Sequence, residues 1–245
     1  MPTPAFSPAG DSERRLRLYQ LVSPALPVGA FSYSEGLEAL CQAGRLPGVE
    51  AVAAWLRAEL RWGLLPLEAA ALPLQMADLT LWRESGAERQ REAARVRVIE
   101  RDGWWQALRE AAEVRAQQRQ MGASLLALLD HLGHPLPPGS PPQSQPALAW
   151  PTAWAWALVA LEIPALEGVE AYLHAWVSNQ LSAAVRLVPL GSSDAQGLLL
   201  GLAPLIAERA AELQGSPAMP GWSGGVGASL AQLSHGELYS RLFRS

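Results

Sequence analysis

Stripes of apolar residues at helical spacing, separated by proline and glycine, constrain the fold most strongly. One stripe follows the break at Pro47 and consists of Val52, Trp55, Leu56 and Leu60. Intervals of three and four residues place these side chains on one helix face, which should be buried. Leu, Ala, Arg and Glu dominate and Ile is rare, so helix-favouring residues outnumber strand-favouring ones. The sequence predicts an all-α fold, a single-domain, bundle-like array of roughly ten helices over residues 1–245.

Capping residues and breaks predict where the helices of the amino-terminal half lie. A first helix is expected at about 12–22, and the two prolines in 23–29 predict a shaped loop after it. Residues 32–35 have the S-x-x-E form of a capped helix start, so a second helix is expected to begin at Ser32. The span 67–100 is predicted to be helical. Two interruptions are expected within it: Pro73 and Gly86.

The second half of the chain has clearer breaks. A leucine stripe predicts a helix that ends near Gly133, and the charged run 109–119 before it is expected to be mostly solvated. Segment 134–150 is rich in Pro, Ser and Gln, which predicts a flexible loop or a hinge between two halves. An apolar helix should follow Pro151. Two longer helices are then expected to form an antiparallel hairpin, at 168–187 and 193–213.

Charge and composition exclude several function classes. A net charge of −4 leaves no basic excess to neutralise phosphates, so nucleic acid is not an expected partner. The most apolar stretch, 147–161, is shorter than the ~20 residues of a membrane span, so no membrane association is expected. All 19 basic side chains are Arg, which excludes a lysine-containing phosphate loop and a Schiff-base lysine. A single cysteine and the absence of an export signal favour the cytoplasm.

No catalytic, cofactor or metal site emerges from the remaining polar residues. His131 and His134 lie three apart but flank a helix end with no third ligand nearby, so polar surface residues explain them better than a metal site does. The glycines of 221–227 follow no strand and lack the lysine of a phosphate loop. The chain is therefore predicted to be non-catalytic.

The carboxyl-terminal segment 228–245 is predicted to be a docking tail. Residues 234–237 can cap a helix of about nine residues, and isolated helices of that length are marginal in water. The tail must therefore dock, either on its own body as a structural cap or on a partner protein. Tyr239, Phe243, Arg241 and Arg244 are of the types enriched at binding hot spots, which favours a partner.

Four blocks of sequence resemble the UreF family of urease accessory proteins. The blocks lie in the family's order and span most of the chain: 21–34 (LVSPALPVGAFSYS), 119–122 (RQMG), 182–191 (SAAVRLVPLG) and 239–245 (YSRLFRS). Two departures weaken the match locally. Residues 192–196 read SSDAQ where the family often has QTDGQ, and Gly236 follows His235 where the family has Glu.

The resemblance implies an all-helical, cytoplasmic homodimer that joins UreD (also called UreH) and the GTPase UreG on apo-urease, with GTP-dependent nickel insertion as the outcome. It implies no bound cofactor. The tail would order against UreD, and the dimer would then present 24–35 to the GTPase. The implied partner-binding residues are Pro24, Pro27, Gly29, Phe31, Ser32, Tyr33, Glu35, Arg119, Arg186, His235, Tyr239, Arg241, Leu242, Phe243 and Arg244.

Three alternatives remain open at this point. The chain could be a general helical adaptor with no link to urease, or an enzyme whose site assembles from scattered Glu, His and Arg side chains. It could also activate a GTPase in trans through an arginine such as Arg186. An enzyme should have a deep pocket with convergent polar groups, whereas a scaffold should have a broad apolar patch.

Overall fold

A computed structural model of the protein describes residues 8–139, 147–214 and 223–245. These residues form ten α-helices, one 3₁₀ turn and no strand, so the predicted all-α fold is confirmed. The helices are α1 (Pro8–Leu21), α2 (Leu37–Gln42), α3 (Val49–Trp62), α4 (Leu65–Glu84), α5 (Glu88–Leu108), α6 (Ala112–His131), α7 (Trp150–Ala160), α8 (Ala165–Leu187), α9 (Ser192–Gln214) and α10 (Val226–His235). The 3₁₀ turn is Ala30–Ser32.

Two helices with apolar residues all around form the centre of the bundle. Every residue of α7 from Pro151 to Ala160 is buried, and so is every residue of α4 from Leu65 to Leu72. A helix with this pattern must be surrounded by other elements. α4 packs against α3, α5, α7, α8 and α9, while α7 also packs against α6. The predicted hairpin of α8 and α9 is present and packs along one side of α4.

The prediction that Pro73 interrupts a helix is wrong, whereas the break near Gly86 is confirmed. α4 continues through Pro73 and ends at Glu84. A proline inside a helix removes one hydrogen bond and costs about 3 kcal/mol. The neighbouring Ala69 and Leu72 are fully buried, and the burial of α4 against five other helices offsets that cost.

The expected solvation of 109–119 is also wrong. Arg109, Gln117 and Gln118 are buried, and Glu113 binds two side chains of the carboxyl-terminal segment. The run begins in the bend between α5 and α6, which turns the side chain of Arg109 into the centre of the bundle.

The second helix begins at Leu37 rather than at Ser32. Glu35 and Gly36 both have positive φ angles, 51° and 88°, which stop any helix from passing through them. A Cβ on Gly36 would lie 2.9 Å from the main-chain nitrogen of Gln232, so α10 packs directly against this turn. The expected capping of Ser32 by Glu35 is therefore absent, and the Glu35 carboxylate points into the bundle.

The carboxyl terminus also differs from the prediction. α10 ends at His235, where the sequence suggested that a helix would begin, and residues 236–245 contain no helix. We call residues 236–245 the strap. Its main-chain groups bond to α2 and to the segment before it, and these bonds replace those that a terminal helix would have made.

Some predictions fall on residues outside the described ranges. Residues 140–146 of the predicted flexible loop are among them, as are 221 and 222 of the glycine-rich segment and residues 1–7. Within the described ranges, none of the helices is both long enough and apolar enough to cross a bilayer.

Candidate functional site

The strap lies against the segment between the 3₁₀ turn and α2. The N–H of Ser34 donates to the main-chain oxygen of Ser245 at 2.9 Å, and the Ser34 hydroxyl donates to the same oxygen at 2.6 Å. The N–H of Arg244 donates to the carbonyl oxygen of Ser32 at 2.9 Å. Two blocks that are more than 200 residues apart in the sequence therefore form one surface.

Glu38 holds the middle of the strap. Its buried carboxylate accepts hydrogen bonds from the main-chain N–H of Leu242 at 2.7 Å and of Phe243 at 3.0 Å. The same carboxylate lies 3.2 Å from Nε2 of His235. Hydrogen bonds to a buried carboxylate are stronger than those between neutral groups. The first turn of α2 thus fixes both the end of α10 and the strap.

His235 lies between two carboxylates. Its ring is fully buried, with Nδ1 2.8 Å from Oε2 of Glu113 and Nε2 3.2 Å from Oε2 of Glu38. Each ring nitrogen thus faces a different carboxylate. Arg241 donates to the other oxygen of Glu113 at 2.6 Å. His235 therefore joins α2, α6 and α10 at a single point.

Arg186 connects the end of α8 to this surface. Its guanidinium lies 4.5 Å from the centre of the Phe243 ring, and Nη1 donates to the carbonyl oxygen of Phe31 at 3.4 Å. A guanidinium over an aromatic face at this distance forms a cation–π interaction. The Phe243 ring itself is buried, whereas Arg186 is exposed.

Large apolar side chains are exposed on α10 and the strap. Three of them follow one another at intervals of four and three residues on α10, so they share one helix face. Tyr239 is fully exposed and Leu242 is 52% exposed. The complete apolar set is Val226, Leu230, Leu233, Tyr239 and Leu242. Exposed apolar side chains that share a helix face, as those of α10 do, are typical of a surface for protein binding.

The structure brings together most of the partner-binding residues that the sequence predicted, but not all are accessible. Those exposed are Pro24, Pro27, Phe31, Arg186, Tyr239, Arg241, Leu242 and Arg244. Gly29 and Ser32 are half-buried, and those buried are Tyr33, Glu35, His235 and Phe243. Arg119 is half-buried and interacts electrostatically with Asp102, whose pKa burial raises to about 6 although Thr152, Ala149 and Arg119 oppose that rise.

A buried polar cluster at the centre of the bundle was missed by sequence reasoning. Glu68 pairs with Arg109 and accepts a hydrogen bond from the Tyr172 hydroxyl at 2.8 Å. Burial alone would lower the pKa of the Arg109 guanidinium, but the carboxylates of Glu68 and Glu35 raise it above its usual value. Burial and the Glu68 carboxylate raise the pKa of Tyr172 well above 10. The available signal was a lone carboxylate within the apolar run 64–74.

A cleft of about 480 Å³ extends from the loop 23–31 to this cluster. Its inner end contains the buried Glu35, Glu68 and Arg109, and its rim includes the exposed Phe31 and Arg186. The charged groups at the inner end bind one another or neutral side chains: Glu68 binds Arg109 and Tyr172, and Glu35 binds Gln117 and Trp176. Among the described residues, no group of three His, Cys, Asp or Glu could hold a metal ion.

Glu59 lies on the other side of the cluster, beneath α10. It lines a cavity of about 10 Å³ together with Trp55, Gln232 and Arg109. Burial raises the pKa of Glu59 from its ordinary value of 4.5 to about 7, Arg109 opposes the rise, and Glu35 adds to it. The carboxyl group therefore titrates near neutral pH.

Comparisons with known proteins agree on one family. A family model described as UreF matches residues 48–203. Similar proteins, each called urease accessory protein UreF, occur in Alkalilimnicola ehrlichii (40% identical, covering 94% of this chain and 95% of the relative), Ralstonia pickettii (38%, 93% and 96%) and Microcystis aeruginosa (38%, 96% and 99%).

Proposed function

The chain belongs to the UreF family of urease accessory proteins, and from this premise we propose that it is a non-catalytic scaffold bridging UreD (UreH) and the GTPase UreG on apo-urease. Nickel is then inserted into urease as UreG hydrolyses GTP. The scaffold acts as a homodimer in the cytoplasm, where nucleotide for the GTPase is available. Membership of this family removes the support for a general adaptor unrelated to urease.

The observation that carries the proposal is the exposed apolar face of α10 and the strap. Tyr239 and Leu242 project from the strap, and Leu230 and Leu233 project from α10. Interfaces gain most of their affinity from a few side chains, among which Tyr is enriched, and exposed apolar patches mark protein-binding surfaces. UreD docks on this face, which agrees with the partner-docking tail expected from the sequence.

The contacts between the strap and the segment 31–34 couple the apolar face of α10 and the strap to a second surface, the loop 24–35. Ser32 and Ser34 bond to the strap, and Arg186 bridges Phe31 and Phe243. Any shift of the strap on UreD binding must therefore change the hydrogen bonds of the segment 31–34. UreG docks on the loop 24–35, so binding of one partner alters the affinity for the other, and the effect is reciprocal.

A second role for Arg186, in activating the GTPase directly, is supported by its exposure at the edge of this surface. Its guanidinium is held by Phe31 and Phe243, so it would have to leave both to reach a bound nucleotide. An Arg186→Ala scaffold that leaves GTP hydrolysis by UreG unchanged would remove this role.

The test is calorimetric titration of UreD into variants with substitutions at exposed positions. Deleting 239–245 would also remove the strap's bonds to Ser34 and Glu38, so Tyr239→Ala and Leu242→Ala are sharper probes. Each should weaken UreD binding about tenfold or more. The matched control is Leu132→Ala, because Leu132 is 47% exposed just beyond the far end of α6. Wild-type affinity in both strap variants would refute the proposed docking face.

A further inference from the structure

We propose that the cleft beside the loop 23–31 binds a small organic cation, an ammonium or guanidinium group carried on an apolar stem. The inference does not depend on the docking of UreD on α10 and the strap, because different residues line the cleft, but the cleft shares Pro24, Phe31 and Glu35 with the loop proposed to bind UreG. Its volume of about 480 Å³ lies within the range of small-molecule sites, about 300–1,000 Å³.

The inner end of the cleft carries two carboxylates, those of Glu35 and Glu68, but only one guanidinium, that of Arg109. Glu68 is paired with Arg109, whereas among the described residues the Glu35 carboxylate accepts hydrogen bonds only from the neutral groups of Gln117, at 2.6 Å, and Trp176, at 2.9 Å. No Arg or His nitrogen lies within ion-pair distance of Glu35 in the part of the chain that the structure describes. The two buried carboxylates share the single charge of Arg109, so a further positive group beside Glu35 would be stabilised.

A second group in the lining of the cleft, the side-chain oxygen of Gln118, lacks a hydrogen-bond donor among the described residues. Gln118 is only 4% exposed, lines the cleft, and has an Oε1 with no hydrogen-bond partner among the described residues. Buried polar atoms are nearly always hydrogen-bonded, and an unsatisfied one costs about 1–3 kcal/mol. A ligand N–H would satisfy this oxygen, and ammonium and guanidinium groups carry several such donors.

The walls suit a cation on an apolar stem. Aromatic faces attract cations through their negative π-clouds when the two lie within about 6 Å. The remaining wall includes Leu21, Leu181 and Val185, which can pack against a short alkyl chain. Two arginines line the cleft. Arg109 is paired with Glu68 at the inner end, and the exposed Arg186 at the rim is engaged with Phe31 and Phe243. The aromatic residues of the lining are Phe31, Trp150, Trp154, Tyr172 and Trp176.

The experiment titrates the full chain with three ligands of similar shape: n-butylguanidinium (cation), n-butylurea (neutral) and pentanoate (anion). Calorimetry should give binding of the cation at least about tenfold tighter than that of the other two. Glu35→Gln should weaken cation binding about tenfold, and Gln118→Leu about threefold. The matched control Glu110→Gln, at an exposed carboxylate outside the cleft, should bind like the unmodified chain.

A substitution at the exposed rim of the cleft provides a second test in case a substitution at a buried residue prevents folding. Ser182 is exposed and lines the cleft, so Ser182→Trp should close it without disturbing the helices, as judged by circular dichroism. Cation binding should then be lost. The proposal is overturned if the three ligands bind equally, if Ser182→Trp or folded Glu35→Gln binds normally, or if no cation binding occurs up to about 10 mM.

A final comparison identifies the source of the cation. A blocked tripeptide with a central arginine carries the same group as n-butylguanidinium on a protein main chain. Tighter binding of the peptide supports an arginine side chain of another protein as the occupant, and tighter binding of n-butylguanidinium supports a free small molecule.

Discussion

The guanidinium of Arg186 lies 4.5 Å from the centre of the Phe243 ring and thereby ties the end of α8 to the strap. The same guanidinium donates to the carbonyl oxygen of Phe31, which belongs to the loop before α2. One exposed side chain therefore holds together two segments to which we assign different partners. The stability of the strap should depend on Arg186 more than its exposed position would suggest.

Arg186→Ala should loosen the strap while leaving the bundle folded. Loss of a cation–π contact of about 1 kcal/mol predicts that the amides of Leu242 and Phe243 exchange with deuterium about fivefold faster. Hydrogen-exchange mass spectrometry measures this directly. Arg89→Ala, at an exposed arginine of α5, is the matched control. Unchanged exchange in the strap of Arg186→Ala would show that the contact does not hold it.

Glu38→Gln should destabilise the whole protein. The Glu38 carboxylate accepts two strap N–H groups and faces His235 in a buried site. A neutral amide cannot serve all three partners, so the free energy of unfolding should fall by about 2–4 kcal/mol. Urea denaturation measures the change, with Glu110→Gln as the exposed control. A loss below about 0.5 kcal/mol, the usual scale of surface substitutions, would contradict the role assigned to Glu38.

Breaking the central ion pair from one side should cost more than replacing both partners. Arg109→Met leaves the buried Glu68 carboxylate without its cation, which predicts a loss of about 3–5 kcal/mol in unfolding free energy. Adding Glu68→Gln should recover part of that loss. Tyr172→Phe, which removes only the hydroxyl bonded to Glu68, should cost about 1 kcal/mol. Thermal denaturation of the unmodified chain, Tyr172→Phe, Arg109→Met and the Arg109→Met/Glu68→Gln double variant tests this order of stability. A double variant less stable than Arg109→Met would contradict it.

Stability should fall as pH rises through neutrality. The folded-state pKa of Glu59, about 7, lies above its ordinary value of 4.5, because burial favours the protonated form. The folded protein then binds more protons than the unfolded chain between these two values, so raising pH in that window favours unfolding. Between pH 6 and 8, Glu59 alone should reduce the free energy of unfolding by about 1 kcal/mol.

Glu59→Gln should remove this part of the pH dependence and make the protein more stable than the unmodified chain at pH 8. Asp102, whose pKa burial raises to about 6, loses the remaining half of its proton within this window and contributes the same, smaller pH dependence to both proteins. Urea denaturation at pH 6, 7 and 8 provides the comparison. Identical slopes for the two proteins would show that Glu59 is not protonated in the fold.

Much of the fold could be predicted because most helices carry their own local signals. The apolar stripe of α3 and the breaks around α8 and α9 were sufficient to locate these three helices. The helix break predicted at Pro73 was wrong because the burial of α4 against five other helices outweighs the energetic cost of a proline inside a helix. Only that cost is visible in the sequence. The start of α2 was predicted wrongly because the turn at Gly36 packs against α10, which is far away in the sequence.

The sequence segments that form the candidate site could be predicted, but the contacts between them could not. The resemblance placed the loop 24–35 and the tail 239–245 among functional segments, but nothing in either segment shows that Ser34 bonds to Ser245. The buried cluster of Glu68, Arg109 and Tyr172 could not be predicted either, because it also depends on contacts between residues far apart in the sequence. Arg109 lies in a charged stretch that reads as a solvated surface, and only the bend between α5 and α6 turns it inward toward Glu68.

The most direct test of the scaffold is size-exclusion chromatography with light scattering on the chain mixed with UreD and then with UreG. The unmodified chain and Leu132→Ala should each form a complex with UreD that then recruits UreG. A Tyr239→Ala/Leu242→Ala variant, which keeps the main-chain bonds of the strap, should elute without UreD and recruit no UreG. A complete three-protein complex with that double variant would contradict the scaffold role assigned to this face.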